Sequence, residues 1–385
     1  MLAPDVFADP TLPWERFGSV TEQWADLPSF LFGEYMFMGF AIAALIHAWR
    51  SGRDHLLIWI AALVAGTVND LIFMALPLVN NFWQAQATIM LTPRLPLYIP
   101  CVYVCFMYYP TVAVRRLERL DWLGIAVFSG LLAMIFYAPY DITGAKYLWW
   151  TWHDTDPPIL TRILGAPTSS SLWILTFVGA FAGLLDFNLR RDPEVSAATF
   201  AKALAMIAGL TTLVMMVQMT ILQQLDGGTP GYVALTVGSL LYLGLGLWRV
   251  AKAGAFGETR LAGPKRPEDL FLFAALVAYF AMFVVVHLAF DPATHQSLGV
   301  HQTVGQCYVE QTDITGMTRY EFLCATDFDE AYDFSCVDQL PAEGTRWFTV
   351  CGKAHHDFAA WLGGVSLLAA VGIASFFGLL RWRRR

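Results

Sequence analysis

Nine separate runs of about 20 apolar residues punctuate the chain, each long enough to cross a hydrocarbon layer of ~30 Å as a helix. They fall near residues 28–48, 55–77, 95–114, 121–140, 171–189, 199–224, 231–249, 270–289 and 358–380. A chain that spans lipid must satisfy its backbone polar groups within itself, and runs of this length do so as helices. Only 14% of the residues are charged, against ~25% in soluble domains, and the deficit extends along the whole chain. The expected fold is therefore all-α: a polytopic membrane bundle of about nine transmembrane helices.

Basic residues orient the bundle. With the N-terminus outside, the inner connections hold Arg50 and Arg53, then Arg115, Arg116 and Arg119, then Arg190, Arg191 and Lys202, then Arg249, Lys252, Arg260, Lys265 and Arg266. The tail RWRRR adds four more arginines. This is the positive-inside pattern, with the C-terminus inside. The basic side can touch anionic lipid and needs no nucleic-acid partner. Residues 1–27 are acidic and Pro-rich, without the basic and apolar regions of a signal peptide, so the first span is expected to target the chain uncleaved.

This divides the chain into an outer segment 1–27, a membrane core 28–289, an outer cap 290–357, and a ninth helix with a basic tail, 358–385. Cys307, Cys324, Cys336 and Cys351 all lie in the cap. Four cysteines in an oxidising compartment (extracellular, periplasmic or an organelle lumen) read as two disulfides with three alternative pairings. A cap this small needs such staples. Cys101 and Cys105 sit inside an apolar run and are expected to pack as small hydrophobes. Residues 80–94 read as a short amphipathic interfacial helix ended by Pro93.

Two carboxylates interrupt the apolar runs, Glu34 in FLFGEYMFMGF and Asp70 in AGTVNDLIFMAL. A charge in hydrocarbon costs at least a few kcal/mol and marks a site. Both lie six or seven residues from the outer span ends, at roughly 9–11 Å depth, so they are expected to share one outer-facing cavity. Asn69, Arg94, Tyr98, Tyr103, Asp141, Gln218, Gln223, Gln224 and His287 fall at the same level, and no comparable set marks the inner halves. Pro96 and Pro100 are expected to loosen the third span. In WWTWHDTDPP, Trp149, Trp150 and Trp152 suit either a headgroup-level aromatic belt or a substrate platform. His153, Asp154 and Asp156 can shuttle a proton or form an Asx turn. The candidate catalytic set is Glu34, Asp70, Asp141, His153 and Asp154. The candidate substrate-binding set is Asn69, Arg94, Tyr98, Trp150, Trp152, Asp156 and Gln218. Glu34 and Asp70 also admit a structural reading, paired with Arg94 or capping broken helices.

The chain has no GxxxxGK[ST], HExxH or GxSxG motif and no HxxxH boxes of the di-iron type. No metal or other cofactor is expected. Gly33-Glu34-Tyr35, the LPLYIP span, Asp141 ahead of WWTW, and Gly165-Ala166-Pro167 together resemble the carotenoid-modifying membrane proteins of the bisanhydrobacterioruberin hydratase type, over residues 30–190. The Cys-rich cap and ninth span depart from that pattern. The strings GEYMFMGFAIAALIHAW, NDLIFMALP and MLTPRLPLYIPC also resemble a polytopic eukaryotic membrane family, which implies no activity. The hydratase resemblance implies water addition across an isoprenoid double bond, with Glu34 or Asp70 as acid and the other, or Asp141, as base. The expected partners are membrane lipids and an apolar lipid substrate. Two other classes stay open: a transporter or channel using the intramembrane carboxylates, and a receptor or complex subunit binding a protein at the cap.

Overall fold

Helix boundaries follow local capping chemistry. The computed structural model describes residues 11–76, 78–79, 81–117, 119–153, 155–191, 196–253, 267–327 and 331–380. A short helix α1 (Val20–Asp26) is capped by the Ser19 side chain, which accepts from Glu22 N. Helix α2 (Pro28–Ser51) opens with proline, where no donor is needed. It turns into α3 (Arg53–Ala75) at Gly52, whose φ of 109° suits glycine alone. Then come α4 (Tyr98–Val114) and α5 (Trp122–Lys146), the latter capped by Asp121. A one-turn helix α6 (Pro157–Leu160) precedes α7 (Thr168–Arg191), α8 (Ala197–Leu222), α9 (Tyr232–Lys252), α10 (Pro267–Ala289) and α11 (Phe358–Leu380).

Among the described residues, eight of these helices are long and apolar enough to cross a membrane, and α4 is a shorter apolar helix. The chain is thus a multi-pass, mostly helical protein. Helix α4 is buried along nearly its whole length and forms the axis of the bundle, flanked by α2, α3 and α5. Pro100 falls in its first turn, where a missing N–H costs nothing, so the proline-rich approach starts this helix rather than loosening it. Helices α5 and α7 approach closely through small residues: a Cβ on Gly130 would lie 2.3 Å from Leu175 O. Leu213, Ile221, Leu240, Leu241 and Leu367 on α8, α9 and α11 are exposed and apolar, as a lipid-facing rim requires.

Gly66 lets α3 meet α4. A Cβ there would fall 2.3 Å from Tyr103 Cβ. Gly66→Ala gains up to ~1 kcal/mol of helix propensity but overpacks a core seam, at ~1–3 kcal/mol. The clash wins because the obstacle is the root of a buried side chain. We expect a lower unfolding midpoint in detergent; a higher one would refute the close packing.

The segment after α3 is not a helix. Strand β1 (Phe82–Gln84) pairs antiparallel with β2 (Trp150–Trp152), Phe82 opposite Trp152 and Gln84 opposite Trp150. Its aromatic and alternating residues fit a pleated pair, and the partner strand, 66 residues downstream, overrides the local amphipathic pattern. A tight hairpin, β3 (Arg162–Ile163) and β4 (Ala166–Pro167), leads into α7. Beyond α10 the cap holds β5 (Gln296–Val300), β6 (Glu310–Thr312), β7 (Thr318–Tyr320), β8 (Tyr332–Asp333) and β9 (Trp347–Gly352). The sheet order is β5-β9-β8, with β6-β7 a separate hairpin. Cys307 bonds Cys324 and Cys336 bonds Cys351, which selects the sequence-local pairing. Cys105 is buried and Cys101 half-buried, both unbridged.

The end of the bundle away from the cap is tied by charge. His47 Nδ1 bonds the Tyr108 hydroxyl at 2.7 Å, and its Nε2 lies 3.5 Å from Asp269. Arg116 pairs with Asp269 at 3.1 Å, and Arg115 with Asp186 at 3.1 Å. His47, Asp186 and Asp269 are buried. Polar groups therefore gather at both ends of the bundle, not only at the cap end.

Candidate functional site

Near the cap end, α3, α4, α5, α7 and α8 line an open-mouthed cavity whose space, with the adjoining solvent at the mouth, is about 1090 Å³. The wall is mostly aromatic and thioether: Phe106, Tyr137, Tyr140, Trp173, Met215 and Met219 among others. A single polar thread forms its floor. Thr212 Oγ1 donates to Asn69 Oδ1 (3.1 Å), Asn69 Nδ2 donates to the Tyr103 hydroxyl (3.1 Å), and that hydroxyl donates to Asp70 Oδ1 (2.9 Å). Asp70 Oδ2 makes no hydrogen bond. A buried carboxylate oxygen left over in an apolar cavity is costly unless it serves a ligand or a proton.

The strand pair supplies the side of the cavity. Gln84 accepts from the Tyr98 hydroxyl at 2.7 Å, which fixes β1 on α4. Trp150 and Trp152 line the space, and neither indole N–H has an acceptor. Trp149 and Trp150 are buried, so the tryptophan cluster is a wall and not a headgroup belt. Trp149 donates to Ser29 Oγ at 3.1 Å.

The cap closes the cavity with an ion triad. Arg319 binds Asp156 through Nε (2.6 Å) and Nη2, and Asp313 through Nη1 (3.1 Å). Tyr320 N also donates to Asp156, at 3.1 Å. Asp313 Oδ1 in turn caps the β6-β7 turn, accepting from Thr315 N, Thr315 Oγ1 and Met317 N. All three charged groups are buried. Asp156 therefore fastens the cap instead of forming an Asx turn with His153.

Several expected site residues lie elsewhere. Glu34 does not reach the cavity. It accepts from Thr88 Oγ1 (2.6 Å), Thr88 N (3.1 Å) and Gln23 Nε2 (3.3 Å), anchoring the segment after β1. Arg94 donates to Phe82 O at 2.7 Å and lies over the Trp83 ring, which braces β1. Helix α5 runs on to Lys146, so Asp141 sits inside it and not at a span end. Asp141 is buried beside Ser170 and Arg162, and neither of its oxygens makes a hydrogen bond of ordinary geometry. It stands behind Tyr137 and Ser170, which do line the cavity. Gln218 accepts from the Tyr242 hydroxyl at 2.7 Å and faces α9; Gln223, one helical stretch on, lines the cavity. Asp154 lies outside the described residues. Tyr103, one of the polar residues expected at this level, lines the site; Asp313 and Arg319 complete the lining and Thr212 stands behind Asn69, and these three were not among the expected site residues. Among the described residues, no three His, Cys, Asp or Glu side chains are placed to hold a metal ion.

His153 is a strut. Its Nε2 faces Phe322 O at 3.0 Å and so carries the proton, while its backbone N donates to Asn81 O. Burial pushes its pKa down to about 3, and burial likewise lowers His295 and His301 to about 4. Between these values and ~6.5 the unfolded chain binds protons that the folded cap refuses, so stability falls as pH falls. The slope is ~1.4 kcal/mol per pH unit per histidine. Cap amides should exchange faster at pH 5 than at pH 7.5 after correction for intrinsic rates; unchanged protection would refute neutral struts.

Residues 14–379 match the model of a family described as a domain of unknown function, DUF7802. No curated protein and no solved structure matches the chain.

Proposed function

We propose that this chain, which belongs to the DUF7802 family, is a membrane enzyme that performs non-redox acid/base chemistry on an isoprenoid or other lipid. One observation carries the reading: a buried carboxylate, Asp70, with one oxygen held by Tyr103 and the other unoccupied, on the wall of a large apolar cavity. The hydratase resemblance over residues 30–190 supports it.

In this reading Asp70 Oδ2 holds a proton and delivers it to one carbon of a double bond. Positive charge develops on the neighbouring carbon, where the faces of Tyr137, Tyr140 and Trp173 stabilise it. Water then adds there and loses its proton through Ser170 to Asp141. The Tyr103–Asn69–Thr212 thread fixes which oxygen of Asp70 faces the substrate, so these residues position the acid. The same reading puts residues 1–27 and the cap outside and the C-terminus inside. The 17-residue α4, ~25 Å long, then crosses as a ninth span.

The test is conversion of extracted polyenes and isoprenoid lipids by purified protein, read by mass spectrometry as gain or loss of one water. Asp70→Asn keeps the shape and removes the acid, and should slow turnover at least ~100-fold while the unfolding midpoint stays within a few degrees. Unchanged turnover would overturn the assignment.

A further inference from the structure

The charges around the cavity narrow what it can hold. Asp70, Asp313 and Arg319 are the charged side chains on its wall. Arg319 is already committed to carboxylates, donating from Nε to Asp156 and from Nη1 to Asp313, with Nη2 in ion-pair range of Asp156. With the flanking groups included, Asp70, Asp141, Asp156 and Asp313 stand against Arg94, Arg162 and Arg319. The region has no surplus of positive charge. A phosphate brought here would lose its water and meet carboxylates already holding the nearest guanidinium, which is strongly unfavourable.

The unused hydrogen-bonding capacity has the opposite character. Trp150 Nε1, Trp152 Nε1 and Gln223 Nε2 are donors without acceptors, and Trp150 and Gln223 are 3% and 2% exposed. Buried donors of this kind are satisfied by an accepting oxygen. A ligand that only donates, such as an ammonium, leaves all three unmet. Beside them α8 contributes the thioether side chains of Met215, Met216 and Met219 to the wall, over ~6 Å of helix.

We infer that the cavity selects an uncharged lipid whose apolar chain lies along Met215, Met216 and Met219 and whose alcohol or carbonyl oxygen accepts from Trp152 and Gln223, and that it rejects phosphate-bearing lipids. This rests on the proposed action at Asp70 and names the substrate class of that site.

The test is equilibrium binding to the full-length protein in uncharged detergent, with four probes of one chain: farnesol, farnesyl phosphate, farnesylamine and farnesene. Farnesol should bind saturably and at least ten-fold more tightly than the phosphate or the amine. Trp152→Phe and Gln223→Leu should each weaken farnesol about five-fold and leave farnesene unchanged, which separates a lost hydrogen bond from a damaged fold. Phosphate or amine binding as tight as farnesol, or no saturable farnesol binding, would overturn the inference. Selective farnesol binding by wild type and Asp70→Asn alike, without conversion of any isoprenoid, would uphold the ligand class and sink the proposed chemistry.

Discussion

Arg319→Met should detach the cap from the bundle. The substitution preserves length and apolar bulk but strands Asp156 and Asp313, which are 0% and 8% exposed. Removing one partner of a buried ion pair costs ~3–5 kcal/mol, because the remaining charge stays buried without compensation. The loss is local: Asp156 belongs to the segment before α6 and Arg319 to β7, so the triad is a direct fastener between the membrane core and the cap. Hydrogen exchange of β6, β7 and the residues around Phe322 should accelerate by two to three orders of magnitude, while the α4 core stays protected. Arg319→Lys should recover only part of this, since one ammonium cannot reproduce the fork that binds Asp156 through two nitrogens and reaches Asp313 with a third. A cap destabilised by less than ~1 kcal/mol in Arg319→Met would show the triad to be a bystander, within the usual cost of exposed pairs.

Replacing Cys336 and Cys351 together by serine should destabilise the cap by ~3 kcal/mol, the chain-entropy value for a loop of this size. The bridge closes 15 residues and joins the turn after β8 to the C-terminal end of β9. Strand β8 has only two residues, too few to hold its edge place through ladder bonds alone. We expect faster proteolysis around residue 336 without reductant, and no further acceleration there when reductant is added. A double variant as resistant as wild type would mean the sheet is held by packing of Tyr332 on Phe334 and of Phe334 on Phe348 rather than by the bridge.

The spans were legible because a twenty-residue apolar run is a local property: eight of the nine runs meet the length and hydropathy of a membrane helix, and the ninth is α4. Asp70 and Asn69 stood out for the same reason, as polar residues in an apolar field. Glu34 stood out equally, yet its partner is Thr88 on a segment whose conformation depends on β2, and no local pattern encodes that pairing. Arg319 lies in the string TRY, indistinguishable in sequence from any exposed cap arginine; only its folded neighbours bury it. The disulfide pairing was open until β9 set Cys351 opposite Asp333, three residues from Cys336. His47 went unread because its partners Tyr108 and Asp269 lie far along the chain.

The cavity's walls are drawn from residues between Asn69 and Arg319, and this sets a schedule. Ribosomes deliver ~5–20 residues per second, so on the order of tens of seconds separate the appearance of Asp70 from that of the arginine that closes its roof. Throughout that interval the nascent bundle holds a carboxylate without its roof, and once Pro230 has emerged the apolar wall stands unroofed as well. No early fragment can carry the finished site, and quality control that inspects the cap side of the bundle meets the pocket open before it meets it shut.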